Sequence, residues 1–132
     1  MVFCVLMLVL DHSNCIEQDI TQKNIFQIKG SVTITSLIEG ILQVHCHSAN
    51  NDLGVQTLSL NQVYGFHFNE NIWGTTLFTC DFSTPGKNTI GFVVWEGWFY
   101  RHPFVVCIDC NWVVSFRGFL VNHGHFKPWP DA

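Results

Sequence analysis

Charge is scarce in this chain: 6 Lys and Arg stand against 10 Asp and Glu in 132 residues, for a net charge of −4. No basic cluster occurs, so the electrostatic footprint of a nucleic-acid binder is missing. The motifs of catalysis are missing as well, with no G-x-S-x-G elbow, no H-E-x-x-H and no Gly-rich phosphate loop. Paired carboxylates are also wanting, because the acids are scattered and mostly sit beside turn residues. Neither an enzyme nor a cofactor is expected. There is no N-x-S/T sequon, so N-glycosylation is not expected. No repeat, low-complexity tract or linker divides the chain, and its length suits one domain with one modest core. No segment shows a helical period.

What remains is apolar and aromatic. Hydrophobic residues make up 48% of the chain, with 12 Phe and 5 Trp among them, a composition that favours strands. The opening apolar run, residues 1–10, is too short to span a bilayer and fits a signal-peptide h-region. Ser13 and Cys15 offer small residues at the −3 and −1 positions, so residues 1–15 read as a signal peptide and 16–132 as the mature domain. Cleavage there removes Cys4 and Cys15 and leaves four cysteines. A first buried strand or short helix is the alternative use of that run.

Along the rest of the chain, alternation of apolar and polar residues marks strands at residues 31–35, 41–47, 64–68 and 75–82. The wholly apolar stretch 89–95 reads as a central strand, and 110–116 with 119–123 as a final pair joined at Arg117-Gly118. Turn residues at 48–54 and 83–88 separate them, with Asp52 capping its own turn. Short strands at this spacing predict an all-β fold, a small antiparallel sandwich or barrel.

Strand parity puts Cys46 with Leu42 and Val44, Cys80 with Phe78 and Phe82, and Cys110 with Trp112 and Val114, all on inward faces. Disulfides there would join one sheet to the other, each contributing about 3–4 kcal/mol. Four cysteines allow three connectivities. Joining Cys107 to Cys110 restrains little chain, so each is expected to reach back to Cys46 or Cys80. Zinc is the alternative, held by Cys46, Cys107, Cys110 and a histidine from His45, His47, His123 or His125. One C-x₂-C is half a zinc signature, and His45 and His47 project away from Cys46. A redox role for Cys107-x₂-Cys110 lacks the helix N-terminus that would stabilise a thiolate. His123 and His125 fit a solvated tail, and His45 and His47 a solvent-facing pair that could confer pH sensitivity.

His45-Cys46-His47-Ser48 is followed in order by Asp52-Leu53-Gly54-Val55-Gln56-Thr57-Leu58, by Tyr64-x-Phe66-x-Phe68, by Trp73-Gly74-Thr75-Thr76-Leu77-Phe78-x-Cys80-x-Phe82, and by Cys107-x₂-Cys110-x-Trp112. This series resembles the plant self-incompatibility S1 family, the S-protein homologues, over roughly residues 32–122. The resemblance implies a small secreted β-sandwich in which Cys46, Cys80, Cys107 and Cys110 form two disulfides. In the founding case of that family the protein is a stigma-secreted ligand recognised by a membrane protein of incompatible pollen. For this chain it implies a monomeric extracellular ligand for a cell-surface receptor protein, with no nucleic acid and no stable membrane insertion. The class apart from this is an intracellular thiol or zinc-binding β protein. Members typically carry a charged, hydrophilic loop before the C-x₂-C pair, whereas here the stretch 95–104 is aromatic.

Within that stretch Trp98, Phe99, Tyr100 and Arg101 are the candidate partner-binding residues, being the types that dominate protein-binding hot spots. The plainer reading runs them as an extended strand, with Trp98 and Tyr100 alternating into the core. A second candidate is the Asn50-Asn51-Asp52 turn with the Asn69-Glu70-Asn71 loop, both polar and expected to be exposed, where ordinary turn chemistry is the simpler account.

Overall fold

Leu42, Val44 and Cys46 are buried while Gln43, His45 and His47 look outward, and this two-residue period organises the whole chain. The computed structural model describes residues 29–100 and 107–130. The expected signal peptide therefore lies outside the described residues, as does Arg101. Nine strands follow in order: β1 Lys29–Ser36, β2 Leu42–His47, β3 Asp52–Leu58, β4 Val63–Asn69, β5 Leu77–Thr84, β6 Lys87–Glu96, β7 Asp109–Val114, β8 Gly118–Val121 and β9 His125–Pro128. No helix occurs among the described residues.

The strands form two sheets, one in the order β4-β1-β7-β8-β9 and one in the order β3-β2-β5-β6. All neighbours are antiparallel except β1 and β7, which run parallel with Val32 opposite Cys110 and Ile34 opposite Trp112. On the outer face of that pair, the Ser31 hydroxyl donates to Asp109 Oδ1 and the Thr33 hydroxyl to Asn111 Oδ1, both at 2.7 Å. These rungs hold the parallel register. Between the sheets, rings interlock: Phe68 of β4 meets Phe78 of β5 at 4.5 Å and Trp95 of β6 at 4.7 Å, and Phe92 of β6 meets Phe119 of β8 at 4.2 Å.

The inward placement of the cysteines holds, but the expected pairing does not. Cys46 joins Cys80, and Cys107 joins Cys110. Cys46 and Cys80 are directly opposite one another on neighbouring strands of one sheet, Cα to Cα 3.9 Å apart. No other described cysteine can compete with that proximity. Cys107 then takes the partner three residues away, its Cα 5.3 Å from that of Cys110, and the bridge fixes the entry to β7. Neither bridge crosses the sandwich.

The sheets are instead tied by two indoles between β6 and β7. Trp112 Nε1 donates to the Val94 carbonyl at 3.0 Å, and Trp95 Nε1 donates to the Ile108 carbonyl at 2.8 Å. Both rings are essentially buried, so each supplies apolar area and satisfies its polar edge within the core.

Three further expectations are corrected. The stretch 89–95 is not central, because β6 is the outer strand of its sheet. A bulge places Cys80 opposite Phe92 but Phe82 opposite Thr89, so Ile90 and Gly91 together face the single residue Asp81, and Ile90 turns out to solvent. Gly91 has φ +71° there, and its N–H donates to Asp81 Oδ1 at 2.8 Å. The turn proposed for 48–54 is shorter, since β3 starts at Asp52. His125 belongs to a fifth strand, β9, rather than a loose tail, and beyond it Trp129 is buried with its indole donating to the Ser115 carbonyl at 2.7 Å.

Candidate recognition site

The β2–β3 turn, the β4–β5 connection and the start of the β6–β7 connection meet at one end of the sandwich. Antiparallel pairing dictates this: His47 at the end of β2 lies opposite Thr79 near the start of β5, and β6 ends with Glu96 opposite Leu77. The β4–β5 connection is braced by Asn71. Its backbone N–H donates to the Thr76 hydroxyl, its amide donates to the Thr75 hydroxyl and accepts from the Thr75 N–H, all at 2.9 Å. Gly74 closes the loop with φ +72°, its N–H donating to the Asn71 carbonyl.

The β6–β7 connection is then laid on this platform. Gly97 N–H donates to the Thr76 carbonyl at 2.7 Å and Phe99 N–H to the Gly74 carbonyl at 2.9 Å. Glu70 is only 1% exposed, and its Oε2 accepts the Trp98 N–H at 2.9 Å. The Trp98 indole lies against Gly74, where a Cβ would collide with it, and a Cβ on Gly97 would strike the Glu70 carboxyl. Two loops far apart in sequence thus form one fixed unit.

This unit shows its rings to solvent. Trp98 is 52% exposed, Phe99 64% and Trp73 70%, with Ile72 and Tyr100 exposed beside them. Residues 98–100 form a turn, not a strand, so Trp98 and Tyr100 do not alternate into the core. Phe99 packs edge-on to Tyr100 at 5.3 Å. The structure therefore brings Trp98, Phe99 and Tyr100 together, while Arg101 falls outside the described residues. The sequence reading passed over Ile72 and Trp73 as contact residues. The isolated apolar pair between Asn71 and Gly74, in an otherwise polar turn, was the available signal. Glu70 was expected in an exposed loop and is instead buried, because the alternation of β4 points it inward to cap the Trp98 amide.

On the outer face of the four-stranded sheet, His45 Nε2 lies 2.6 Å from Asp52 Oδ1, and Asp81 Oδ2 lies 4.0 Å from His45 Nδ1 and 3.9 Å from His47 Nε2. The Asp52 carboxyl also accepts the Gly54 N–H at 2.9 Å, the self-capping read from the sequence. That backbone bond first, and the His45 side chain second, hold the Asp52 carboxyl below its ordinary range. A depressed carboxylate contributes stability that is complete above its unfolded value and is lost as pH falls through the folded one. The expected result is a thermal midpoint whose difference between the native protein and Asp52→Asn is level at neutral pH and shrinks below about pH 4. A difference that stays constant through that acid range would refute the assignment. All four described cysteines are bridged, so the zinc alternative loses its thiolate ligands. No helix among the described residues is long and apolar enough to cross a membrane.

The fold and this end define the class: a two-sheet, disulfide-bonded β-sandwich that carries a braced, aromatic loop surface. The model of the plant self-incompatibility protein S1 family matches residues 31–130, and the chain belongs to that family. It is 36% identical over 77 residues to S-protein homolog 3 of Arabidopsis thaliana, covering 58% of this chain and 51% of that protein. It is 34% identical over 85 residues to S-protein homolog 5 of the same plant, covering 64% and 63%. The matches thus span about half to two-thirds of those relatives' length. A solved structure of a self-incompatibility protein homologue, described as one of a widespread family of small, highly stable, secreted plant proteins, superposes with a TM-score of 0.49 at 19% identity over 78% of this chain and 96% of that one.

Proposed function

We propose that this chain is a secreted protein ligand of cell-to-cell recognition, acting as a monomer on a cell-surface receptor protein, with pollen–pistil self-incompatibility as one setting. Its residues 1–15 act as the signal peptide and 16–132 as the ligand. Membership of the S1 family and the two disulfides, which suit an oxidising compartment, support the extracellular setting. The observation that carries the contact surface is the exposed aromatic unit of Trp73, Trp98, Phe99 and Tyr100, with Arg101 following it. Large rings held rigidly at a loop end lose little entropy on binding and leave water when a partner covers them. An exposed apolar patch of this kind is a usual mark of a protein contact.

The test is a double replacement, Trp73→Ser with Phe99→Ser, both at positions that are more than half exposed. The expected variant is secreted, melts within about 1 kcal/mol of the native protein, and binds its target cells at least about tenfold more weakly. Undiminished binding to living pollen or other plant cells would sink the assignment of this surface.

A further inference from the structure

Beside the aromatic unit lies a groove of about 450 Å³. Its walls are the β2–β3 turn, with His47, Asn50 and Asn51, and the β4–β5 connection, with Asn69 and Thr75. Tyr100, Phe68, Leu77 and Phe78 give it an apolar part. Asn50 and Asn51 of one polar stretch and Asn69 and Asn71 of the other, which the sequence leaves as ordinary turns, therefore line one site.

The chemistry of this lining is selective. Its described residues include one histidine, His47, and no Asp, Glu, Lys or Arg, too little charge to hold a phosphate, a carboxylate or a metal ion. What it offers is side-chain amides and hydroxyls. Asn71 is spent on its own loop, but the amides of Asn50 and Asn69 are exposed and make no hydrogen bond to another described side chain. An amide carries two donors and an acceptor with two lone pairs in one plane, the set that matches adjacent hydroxyls on a ring. Tyr100 adds an aromatic face, electron-rich at its centre, on which polarised C–H groups can lie. A ligand rich in hydroxyls, uncharged, with one apolar C–H face and longer than a single ring, satisfies all of these together. The volume lies within the range of small-molecule sites.

We infer that this groove binds a neutral oligosaccharide, with Asn50 and Asn69 reading ring hydroxyls from opposite sides and Tyr100 stacking on a sugar face. Such a glycan belongs either to a wall polysaccharide or to a glycoprotein chain. The site shares Tyr100 with the aromatic unit but uses none of Trp73, Trp98 and Phe99, so Trp73→Ser with Phe99→Ser and Asn50→Ala with Asn69→Ala test the receptor contact and the glycan site separately.

The deciding experiment is an NMR titration of the oxidised, ¹⁵N-labelled protein with neutral cello-, xylo- and manno-oligosaccharides, with a released mannose-rich N-glycan, and with an acidic oligogalacturonate. The expected result is saturable shifts of the Asn50 and Asn69 side-chain amides with a neutral glycan. Response to a wall fragment or to the N-glycan identifies the source, and either supports the site. Asn50→Ala with Asn69→Ala changes two exposed positions and should leave the spectrum folded while weakening binding roughly tenfold or more. No saturable response to any neutral glycan, a response mapping away from the groove, equal binding by the double variant, or preference for the acidic chain would each overturn the proposal.

Discussion

Replacing Cys46 and Cys80 together by alanine is expected to cost far more stability than replacing Cys107 and Cys110. The first bridge joins residues 34 apart, the second residues 3 apart. On loop-closure entropy the longer loop is worth about 4 kcal/mol and the shorter about 2 kcal/mol. The first pair also lies fully buried between Val44, Phe78 and Phe82 on the core side of its sheet, so its removal thins the packing as well. Against a typical total of about 5–15 kcal/mol, loss of the Cys46–Cys80 bridge takes a large share of the fold's stability. Denaturant unfolding of the two double variants measures the difference. Equal losses would show that the long loop is already restrained in the unfolded chain, and a larger loss at Cys107 and Cys110 would refute the ranking.

Trp112→Ala is the second large effect, expected at about 3–5 kcal/mol. The ring is fully buried in β7, stands edge-on to Phe92 at 5.1 Å, and donates across to the Val94 carbonyl of the other sheet. Trp112→Phe separates the contributions. It keeps most of the apolar area but leaves the Val94 carbonyl buried without its donor, which costs about 1–3 kcal/mol. Near-UV circular dichroism during thermal melting reads both variants. A Trp112→Ala protein that melts within a few degrees of the native one would show that the core refills the space and that the indole bridge is dispensable.

The contrast between these two predictions shows what was legible in the chain. Parity placed Cys46, Cys80, Cys110 and Trp112 on inward faces because alternation is a local property, written into each strand by itself. Which inward residue faces which is set by strand order and register, and these depend on pairings that no single strand specifies. Hence the expected bridge across the sheets became a rung within one sheet, and the indoles took over the crossing.

β9 was missed for a related reason. All four of its residues are exposed, so it has no apolar period, and it exists because β8 offers an unpaired edge. At the candidate site, the ring residues 98–100 were visible as a run of hot-spot types. Their exposure was not, since it follows from the bonds that Gly74, Thr76 and Glu70 make to the same loop from elsewhere in the sequence. The groove walls were likewise visible as turn residues without any sign that they face one another.

The parallel pairing of β1 with β7 sets the order in which this protein can be completed. Residues 31–36 find their second neighbour only when 109–114 have been made. Until then β1 has β4 alone beside it, and β8 and β9 have no sheet to join. Contacts so distant along the chain place folding in the slow range for a domain of this size, on the order of milliseconds to seconds. A ribosome-bound chain lacking β7 therefore holds β1 with one edge unpaired, and completion of the five-stranded sheet waits for β7. Truncations that remove β7 to β9 should be far more damaging to export than their length alone implies.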